Sequence, residues 1–232
     1  PESQDMCFTA NAGWCRWGKV ILSNFVTARV AEARRHEPYH YERWFEKYRA
    51  KLLGVEVVRF PLVDESFEGQ GDVVTVGKGK TNCVVLVGYG QGRTDYRATD
   101  VLREIHGLKK DQVVPMRLVD PRFYHLDTAC LYIPPATFLY YPDAFDTAGK
   151  RLIEGLGMNL LAVDEEDANR FVCNGVFIEQ EDKTTILMNS PSEKLKGELQ
   201  ERGYRVVPVD TSEFIKSGGS VRCLTLFLPE EK

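Results

Sequence analysis

Short apolar runs alternate with longer amphipathic segments along most of the chain. The apolar runs are rich in Val, Ile, Leu, Phe and Tyr, the composition that β-strands favour. Because strands that alternate with helices form sheets covered by those helices, the pattern predicts an α/β fold. The runs that we interpret as strands are 20–22, 55–58, 83–87, 113–116, 126–133, 138–141, 185–188 and 204–208.

Four of the amphipathic segments are predicted to be helices. In the first of them, Trp44, Phe45 and Tyr48 recur at helical spacing, and Gly54 follows as a helix-terminating glycine does. In the last, Ser192 is a start signal and Gly203 a stop signal. The predicted helices are 41–53, 95–105, 143–156 and 192–202.

Composition narrows the class of protein. The 232 residues are 43% hydrophobic and 28% charged, and no low-complexity or Pro/Ser-rich linker divides them, so residues 1–232 are predicted to form a single domain. The net charge is only −4 and the basic residues are dispersed, which argues against nucleic acid or an anionic membrane as partner. No apolar run approaches the length of a membrane span.

The cysteines and histidines do not form a metal-binding pattern. There is no C-x-x-C pair, and four scattered histidines do not suggest a zinc site, so we expect no metal. Glycines at 88–92 lack the G-x-G-x-x-G spacing of a nucleotide loop, so we expect no cofactor. Most cysteines lie in apolar stretches, which suits reduced thiols in a cytoplasmic protein. The six cysteines are Cys7, Cys15, Cys83, Cys130, Cys173 and Cys223.

Cys223 has a setting that suits chemistry. It follows the flexible pair Gly218-Gly219 and precedes the apolar run 224–226, which we interpret as a strand. A lone cysteine is more often a buried core residue. His125 and Asp127, however, stand at i and i+2, and on a strand both side chains would point from the same face. A cysteine, a histidine and a carboxylate are the minimum set for thiolate catalysis.

Three further segments, 5–13, 67–72 and 88–94, complete an ordered series with those around His125 and Cys223. Five such motifs in this order resemble the guanidine-modifying enzymes of the pentein superfamily, from Asp5 to Leu226. The group includes arginine deiminases, dimethylarginine dimethylaminohydrolases, amidinotransferases and arginine dihydrolases. The resemblance implies an α/β propeller of similar modules around a pseudo-fivefold axis. Relatives carry a further stretch before the first motif, so it also implies that the first module lies outside residues 1–232.

The resemblance assigns the catalytic roles. Cys223 is the implied nucleophile that attacks the guanidinium carbon, and His125 the implied general acid and base. Glu68, Asp127 and Asp5 are the implied carboxylate receptor, because a planar cationic guanidinium binds carboxylates through its fork of N–H donors. The alternative for Asp5 and Glu68 is that they are loop residues capping backbone N–H groups.

Substrate contacts beyond the guanidinium follow in the same way. Asp72 is expected to support Glu68, and Arg34 and Arg93 stand where relatives bind an α-carboxylate. Asn11 offers an amide that both donates and accepts, so it can hold a guanidinium and then a ureido oxygen. Asn11 would thus permit a second hydrolysis, giving ornithine, carbon dioxide and two ammonia. Its alternative role is to fix the turn before Gly13.

The predicted function is therefore that of a hydrolase acting on arginine, of the dihydrolase type or stopping at citrulline. Alternatives are a dimethylarginine dimethylaminohydrolase that releases dimethylamine, and an amidinotransferase. The non-enzymatic alternative is a ribosome-binding protein of the same fold. Such a protein would not need Cys223 as a nucleophile. The expected partner is a small guanidino substrate, and the sequence is compatible with a homo-oligomer.

Overall fold

The computed structural model describes residues 3–26, 34–49, 54–180 and 183–228. Within these ranges, twelve strands form four separate three-stranded sheets, each made of consecutive strands. The strands are β1 (Gly13–Arg16), β2 (Lys19–Leu22), β3 (Glu56–Val58), β4 (Val73–Lys78), β5 (Asn82–Tyr89), β6 (Val113–Arg117), β7 (Cys130–Ile133), β8 (Thr137–Tyr140), β9 (Asn159–Ala162), β10 (Val176–Gln180), β11 (Lys183–Asn189) and β12 (Arg205–Val209).

Seven α-helices lie in the same described ranges, several of them only one turn long. They are α1 (Glu37–Trp44), α2 (Ala98–His106), α3 (Leu126–Ala129), α4 (Thr147–Glu154), α5 (Glu165–Asn169), α6 (Glu193–Glu201) and α7 (Ser212–Ile215). Nowhere in the part of the chain described is a helix both long and apolar enough to cross a membrane.

Each sheet is built in the same way. Its first two strands form an antiparallel hairpin, and its third strand runs parallel to the second. A helix makes the crossover between the second and third strands, as parallel pairing requires: α1, α2, α4 and α6 in chain order. The chain thus forms four consecutive ββαβ modules, which confirms the predicted α/β fold.

Burial explains why these segments fold locally as they do. In β5, Val85, Leu86 and Val87 are all buried, as expected for a central strand covered on both faces. Helix α2 places Ala98, Val101 and Leu102 in the same apolar cluster as part of β5, and the left-handed Gly107 (φ 59°) ends it. The sheet that α2 covers is thereby fixed beside the first sheet, which contributes Ile21 to that cluster.

Two predicted strands are wrong, and both concern the site. The run 126–133 begins with the helical turn α3 and becomes a strand only at Cys130, because Asp72 accepts from Leu126 N and Thr128 bonds back to His125 O. His125 and Asp127 therefore do not share a strand face. The run 224–226 is not a strand either: backbone bonds to Ser220 and Arg222 fold it into turns.

The first predicted helix has different bounds. It begins at Glu37, four residues early, because Pro38 suits the first turn of a helix. Its α-helical part ends at Trp44 and continues as one π-helical stretch, Phe45–Arg49. The remainder of the prediction, 50–53, lies outside the described residues.

Candidate active site

Five turns are joined to one another by hydrogen bonds in a closed circuit, which we call the turn ring. Four of them immediately precede the first strand of a module, and the fifth carries Cys223. The bonds run from Asn11 Nδ2 to Glu68 O (2.9 Å), from Leu126 N to Asp72 Oδ1 (3.0 Å), from Asn174 Nδ2 to Asp127 O (3.2 Å), from Cys223 N to Asn174 Oδ1 (3.2 Å) and from Ala10 N to Cys223 O (3.1 Å).

Cys223 lies buried in this ring beside Asp127. Its Sγ atom is 3.9 and 3.8 Å from the two carboxylate oxygens of Asp127. Burial, and then the negative charge of Asp127, raises the pKa of the Cys223 thiol well above its ordinary value. The sulfur is therefore a neutral thiol until a nearby positive charge offsets both effects.

Two buried carboxyl groups of the turn ring are hard to ionise. Burial raises the pKa of Asp127 to about 7, against the opposing charge of Arg222. Burial also raises the pKa of Asp72 to about 6, although His125 lies nearby. A bound cation would lower the pKa of both carboxyl groups, because it favours their charged form.

His125 is held between carboxylates. Its Nε2 atom donates to Glu68 Oε2 at 2.8 Å and lies 3.9 Å from Asp72 Oδ2. Its Nδ1 atom faces Gly71, where a Cβ atom would lie only 3.1 Å away. Glycine at position 71 thus lets the ring approach the backbone closely.

Glu68 is fully buried and ionised. Burial raises its pKa, but the hydrogen bond and charge of His125, together with Arg93, outweigh burial and hold the pKa at about 2. Glu68 contacts both Arg93 and His125. Asp72 accepts from the backbone at Leu126 instead.

Arg93 lies directly on Glu68. Its Nε atom is 2.8 and 2.9 Å from the two carboxylate oxygens, and its Nη2 atom is 2.7 Å from Oε2. The guanidinium also stacks over the ring of Tyr124 at 4.6 Å, and the Tyr124 hydroxyl donates to Gly218 O in the loop before Cys223. The structure therefore pairs Arg93 with Glu68 and stacks it on Tyr124.

Arg34, Asn11 and Asp5 form a second group at the edge of the site. Buried Arg34 pairs with Glu37 at 2.9 and 2.8 Å, and its Nη1 atom donates to Asn11 Oδ1 at 3.4 Å. Asp5 is more open, with 42% of its side chain exposed, and lies 4.0 Å from Arg34. Of the three, only Asn11 belongs to the turn ring.

Sequence reasoning missed Asn174, which is completely buried. Its Oδ1 atom accepts from both Ser220 N (3.1 Å) and Cys223 N (3.2 Å), so one amide fixes the loop that carries Cys223. No local signal marked it, because Asn174-Gly175 before β10 is a pair that suits any turn. Tyr124 and Glu37 were also missed.

A cavity of about 920 Å³ is lined in part by Asp127, Trp14, Val73 and Tyr132. Cys223 and His125 are not among the described residues that line it. Over the described ranges, no group of three or more His, Cys, Asp or Glu side chains is placed to hold a metal ion.

Several known proteins are similar to this chain. The bifunctional arginine dihydrolase/ornithine cyclodeaminase AgrE of a Nostoc strain is 36% identical over 228 residues, covering 97% of this chain and 29% of the relative. The N(G),N(G)-dimethylarginine dimethylaminohydrolase of Mycobacterium tuberculosis is 35% identical, covering 96% of this chain and 65% of the relative. The chain thus spans less than a third of the bifunctional relative and about two thirds of the mycobacterial one.

Solved structures agree with these sequence matches. The N-terminal domain of ArgZ, a cyanobacterial arginine dihydrolase solved with bound substrate, superposes with a TM-score of 0.82 at 36% identity, covering 97% of this chain and 77% of that one. The family profile described as N,N dimethylarginine dimethylhydrolase, eukaryotic, matches residues 1–228. The chain therefore belongs to the N,N-dimethylarginine dimethylhydrolase family.

Proposed function

We propose that this chain hydrolyses a C–N bond at the guanidino carbon of arginine through a covalent intermediate on Cys223. The observation that carries the proposal is the turn ring, which joins a buried thiol, Asp127 and the His125–Glu68 pair in one site. Relatives named as arginine dihydrolases and as a dimethylarginine hydrolase support this reaction class.

The first half of the reaction follows from the charges. A guanidinium cation bound by Glu68 and Asp127 lowers the pKa of the thiol, so the thiol releases its proton to solvent and the Cys223 thiolate attacks the guanidino carbon. The C–N bond to one terminal nitrogen then breaks. His125 donates the proton that this nitrogen needs to leave as ammonia.

The second half releases the enzyme. Water attacks the carbon of the thiouronium intermediate, and His125 takes up the proton of that water. The C–S bond breaks and its electron pair returns to Cys223. One turnover thus converts arginine and water into citrulline and ammonia.

Asn11 supports a second round on the same molecule. Its amide donates to the backbone carbonyl of Glu68 and accepts from Arg34, so it links the turn of the receptor carboxylate to a cation. Hydrolysis of the bound ureido group would give ornithine, carbon dioxide and a second ammonia. Dimethylarginine as substrate is the second candidate, favoured by the family profile that matches residues 1–228.

The proposal includes the architecture and the location. Four like modules, with a fifth turn at Cys223 closing the turn ring, support a propeller of pseudo-fivefold symmetry. Six cysteines without a disulfide, all among the described residues, support a reducing, cytoplasmic location.

The test is incubation of the chain with arginine, N,N-dimethylarginine or citrulline, with products resolved by mass. We expect ornithine and ammonia from arginine, an acid-quenched adduct on Cys223, and at least about a 10³-fold loss of rate in Cys223→Ala. The exposed Cys7→Ala is the matched control and should keep its rate.

The products distinguish the candidates. Accumulation of citrulline alone from arginine would refute the second hydrolysis. Release of dimethylamine from dimethylarginine far faster than arginine is consumed would favour dimethylarginine as the substrate. Full activity in Cys223→Ala would refute the covalent mechanism.

A further inference from the structure

Arg222 is a partly buried cation directly before the proposed nucleophile, and it lines the cavity together with Asp127 and Gln70. Its Nη1 atom donates to Thr225 O at 2.8 Å, and its Nη2 atom donates to Gln70 Oε1 at 2.9 Å. Both acceptors are neutral oxygens, and over the described ranges no carboxylate forms an ion pair with this guanidinium. A partly buried cation without a contacting anion is costly, so the position of Arg222 requires a physical reason.

Gln70 fixes that guanidinium from the turn that carries Glu68 and Asp72. Its side chain is buried: Oε1 accepts from Arg222 Nη2 and from Phe227 N (3.1 Å), and Nε2 donates to Phe227 O (2.6 Å). The ring of Phe227 lies under the guanidinium, with its centroid 4.7 Å from Cζ. The charge of Arg222 therefore has a fixed position, unlike that of a solvated surface arginine.

We propose that Arg222 is a positioning residue for the reaction, which acts through its neighbours by holding a fixed positive charge on the cavity side of Cys223 and Asp127. This inference rests on the proposed function for the role of Cys223. It adds a second source of charge at the site: the substrate brings a transient cation to the thiol, and Arg222 supplies a permanent one.

The charges of the three groups support one another. Burial raises the pKa of Asp127 to about 7, and Arg222 is the largest influence that lowers it. The same cation lowers the pKa of the Cys223 thiol, which burial and then Asp127 raise. Burial in turn lowers the pKa of Arg222, and Asp127 and then Cys223 oppose that change. The guanidinium thus favours the ionised forms of both neighbours.

Other groups that face these three come from other elements. Arg93 also lowers the pKa of the carboxyl, but it is already paired with Glu68. Tyr124 faces the thiol, and burial raises the pKa of its hydroxyl well above the ordinary value, so it is neutral. Cys15 of β1 faces Arg222, and burial raises its pKa to about 12, so it is neutral as well. Arg222 is therefore the cation among these groups whose charge no contacting carboxylate cancels.

The experiment is alkylation of Cys223 with iodoacetamide, followed by mass analysis of the peptide that carries it. The rate reports the thiolate, because the thiolate is the nucleophile. Cys7→Ala serves as the background throughout, since this exposed thiol would consume reagent. Adding Arg222→Gln should lower the rate at least about threefold, because the loss of thiolate outweighs the greater reactivity of a more basic thiolate. Adding Arg222→Lys, which keeps the positive charge, should leave the rate within about twofold of the background.

Two further variants complete the set. Arg103→Gln is the matched control: this partly exposed arginine of α2 pairs with Asp100 and Glu104, and its removal should leave the rate unchanged. Gln70→Glu places a carboxylate against Arg222 Nη2 and cancels its charge without removing the arginine. The rate should fall as in Arg222→Gln, and this variant decides the question if Arg222→Gln melts early.

An unchanged rate in Arg222→Gln would overturn the inference, because the charge would then not reach the thiol. Equal losses in Arg222→Gln and Arg222→Lys would overturn it too, because Arg222 would then contribute only structure. Absence of detectable alkylation of Cys223 in the background would also contradict it. The outcome is separate from that of the proposed function: absence of turnover by the wild type refutes the function, whereas the alkylation rates still decide the role of Arg222.

Discussion

At the scale of the residue, the buried amide of Asn174 controls the position of the proposed nucleophile. It accepts from Ser220 N and Cys223 N and donates to Asp127 O, so it fixes the thiol relative to its neighbouring carboxylate. Removing the side chain leaves two buried N–H groups without this acceptor. Each such loss costs about 1–3 kcal/mol.

Asn174→Ala should therefore lower kcat strongly, by about 10²-fold or more, and change KM less, because the thiol loses two backbone contacts while Glu68 keeps all of its own. The matched control is Asn189→Ala. Its amide is also buried and also makes two backbone bonds, to Arg170 O and Thr211 N, and neither bond reaches Asp127 or Cys223. Steady-state kinetics and urea unfolding of both variants make the check. Equal losses of kcat in the two variants would mean that Asn174 contributes only stability.

How far the sequence could predict the site differs from residue to residue. Glu68, His125, Asp127 and Cys223 stand in motifs whose order is informative, and the structure places all four around the turn ring. Asn174 stands in an Asn-Gly pair that suits any turn. Its meaning depends on which distant N–H groups it meets, and no local pattern encodes that.

At the scale of the element, Asp72 and Leu126 can pack closely against strand β5 only because residue 88 is glycine. A Cβ there would lie 2.6 Å from Asp72 Oδ1 and 2.8 Å from Leu126 Cβ. The strand therefore sets how closely Asp72 approaches the turn α3. Because His125 directly precedes α3, the same spacing positions the imidazole.

Gly88→Ala should destabilise the fold by about 1–3 kcal/mol and reduce turnover, since either Asp72 or α3 must shift. Gly197→Ala is its control within helix α6, where no atom lies within 4 Å of the new Cβ. Alanine there should stabilise the protein by roughly 0.5–1 kcal/mol and leave turnover unchanged. Urea unfolding with parallel assays tests both. A stable and fully active Gly88→Ala would contradict this account of β5.

The elements that were predicted wrongly share a physical cause. Runs 126–129 and 224–226 resemble strands in sequence, but other backbone bonds fold them otherwise: Asp72 from another module accepts from Leu126 N, and Leu224 and Thr225 bond back to Ser220 and Arg222. Strands β5 and β11 were predictable because their burial follows from their own composition. Inside the modules the apolar pattern predicted the more buried strands, whereas β1, β4, β9 and β10 were not predicted.

At the scale of the whole molecule, the buried carboxyl of Asp127 links folding to pH. Its pKa is about 7 in the folded state, against an ordinary value of 3.8, because burial disfavours the charge. Folding therefore favours the protonated form. This contribution to stability is complete below pH about 4 and is lost as the pH rises through about 7.

The free energy of unfolding of the wild type, relative to that of Asp127→Asn, should accordingly fall between pH 4 and pH 8 by a few kcal/mol, on the order expected for one buried carboxyl. Urea unfolding at several pH values measures it, and taking the difference removes contributions from other groups. A difference that stays constant over this range would show that Asp127 ionises as readily in the folded protein as in the unfolded chain.

The turn ring also determines whether a fragment of this protein can retain the site. In a solenoid, each repeat contacts only its neighbours, and a shortened array keeps part of its surface and part of its use. Here each module contributes one arc of a closed circuit. A chain divided between β6 and α3 would leave Glu68 and Arg93 on one piece and His125, Asp127 and Cys223 on the other. The scaffold consists of repeated modules, yet the site belongs to no single module. Removing a module would therefore remove part of the site.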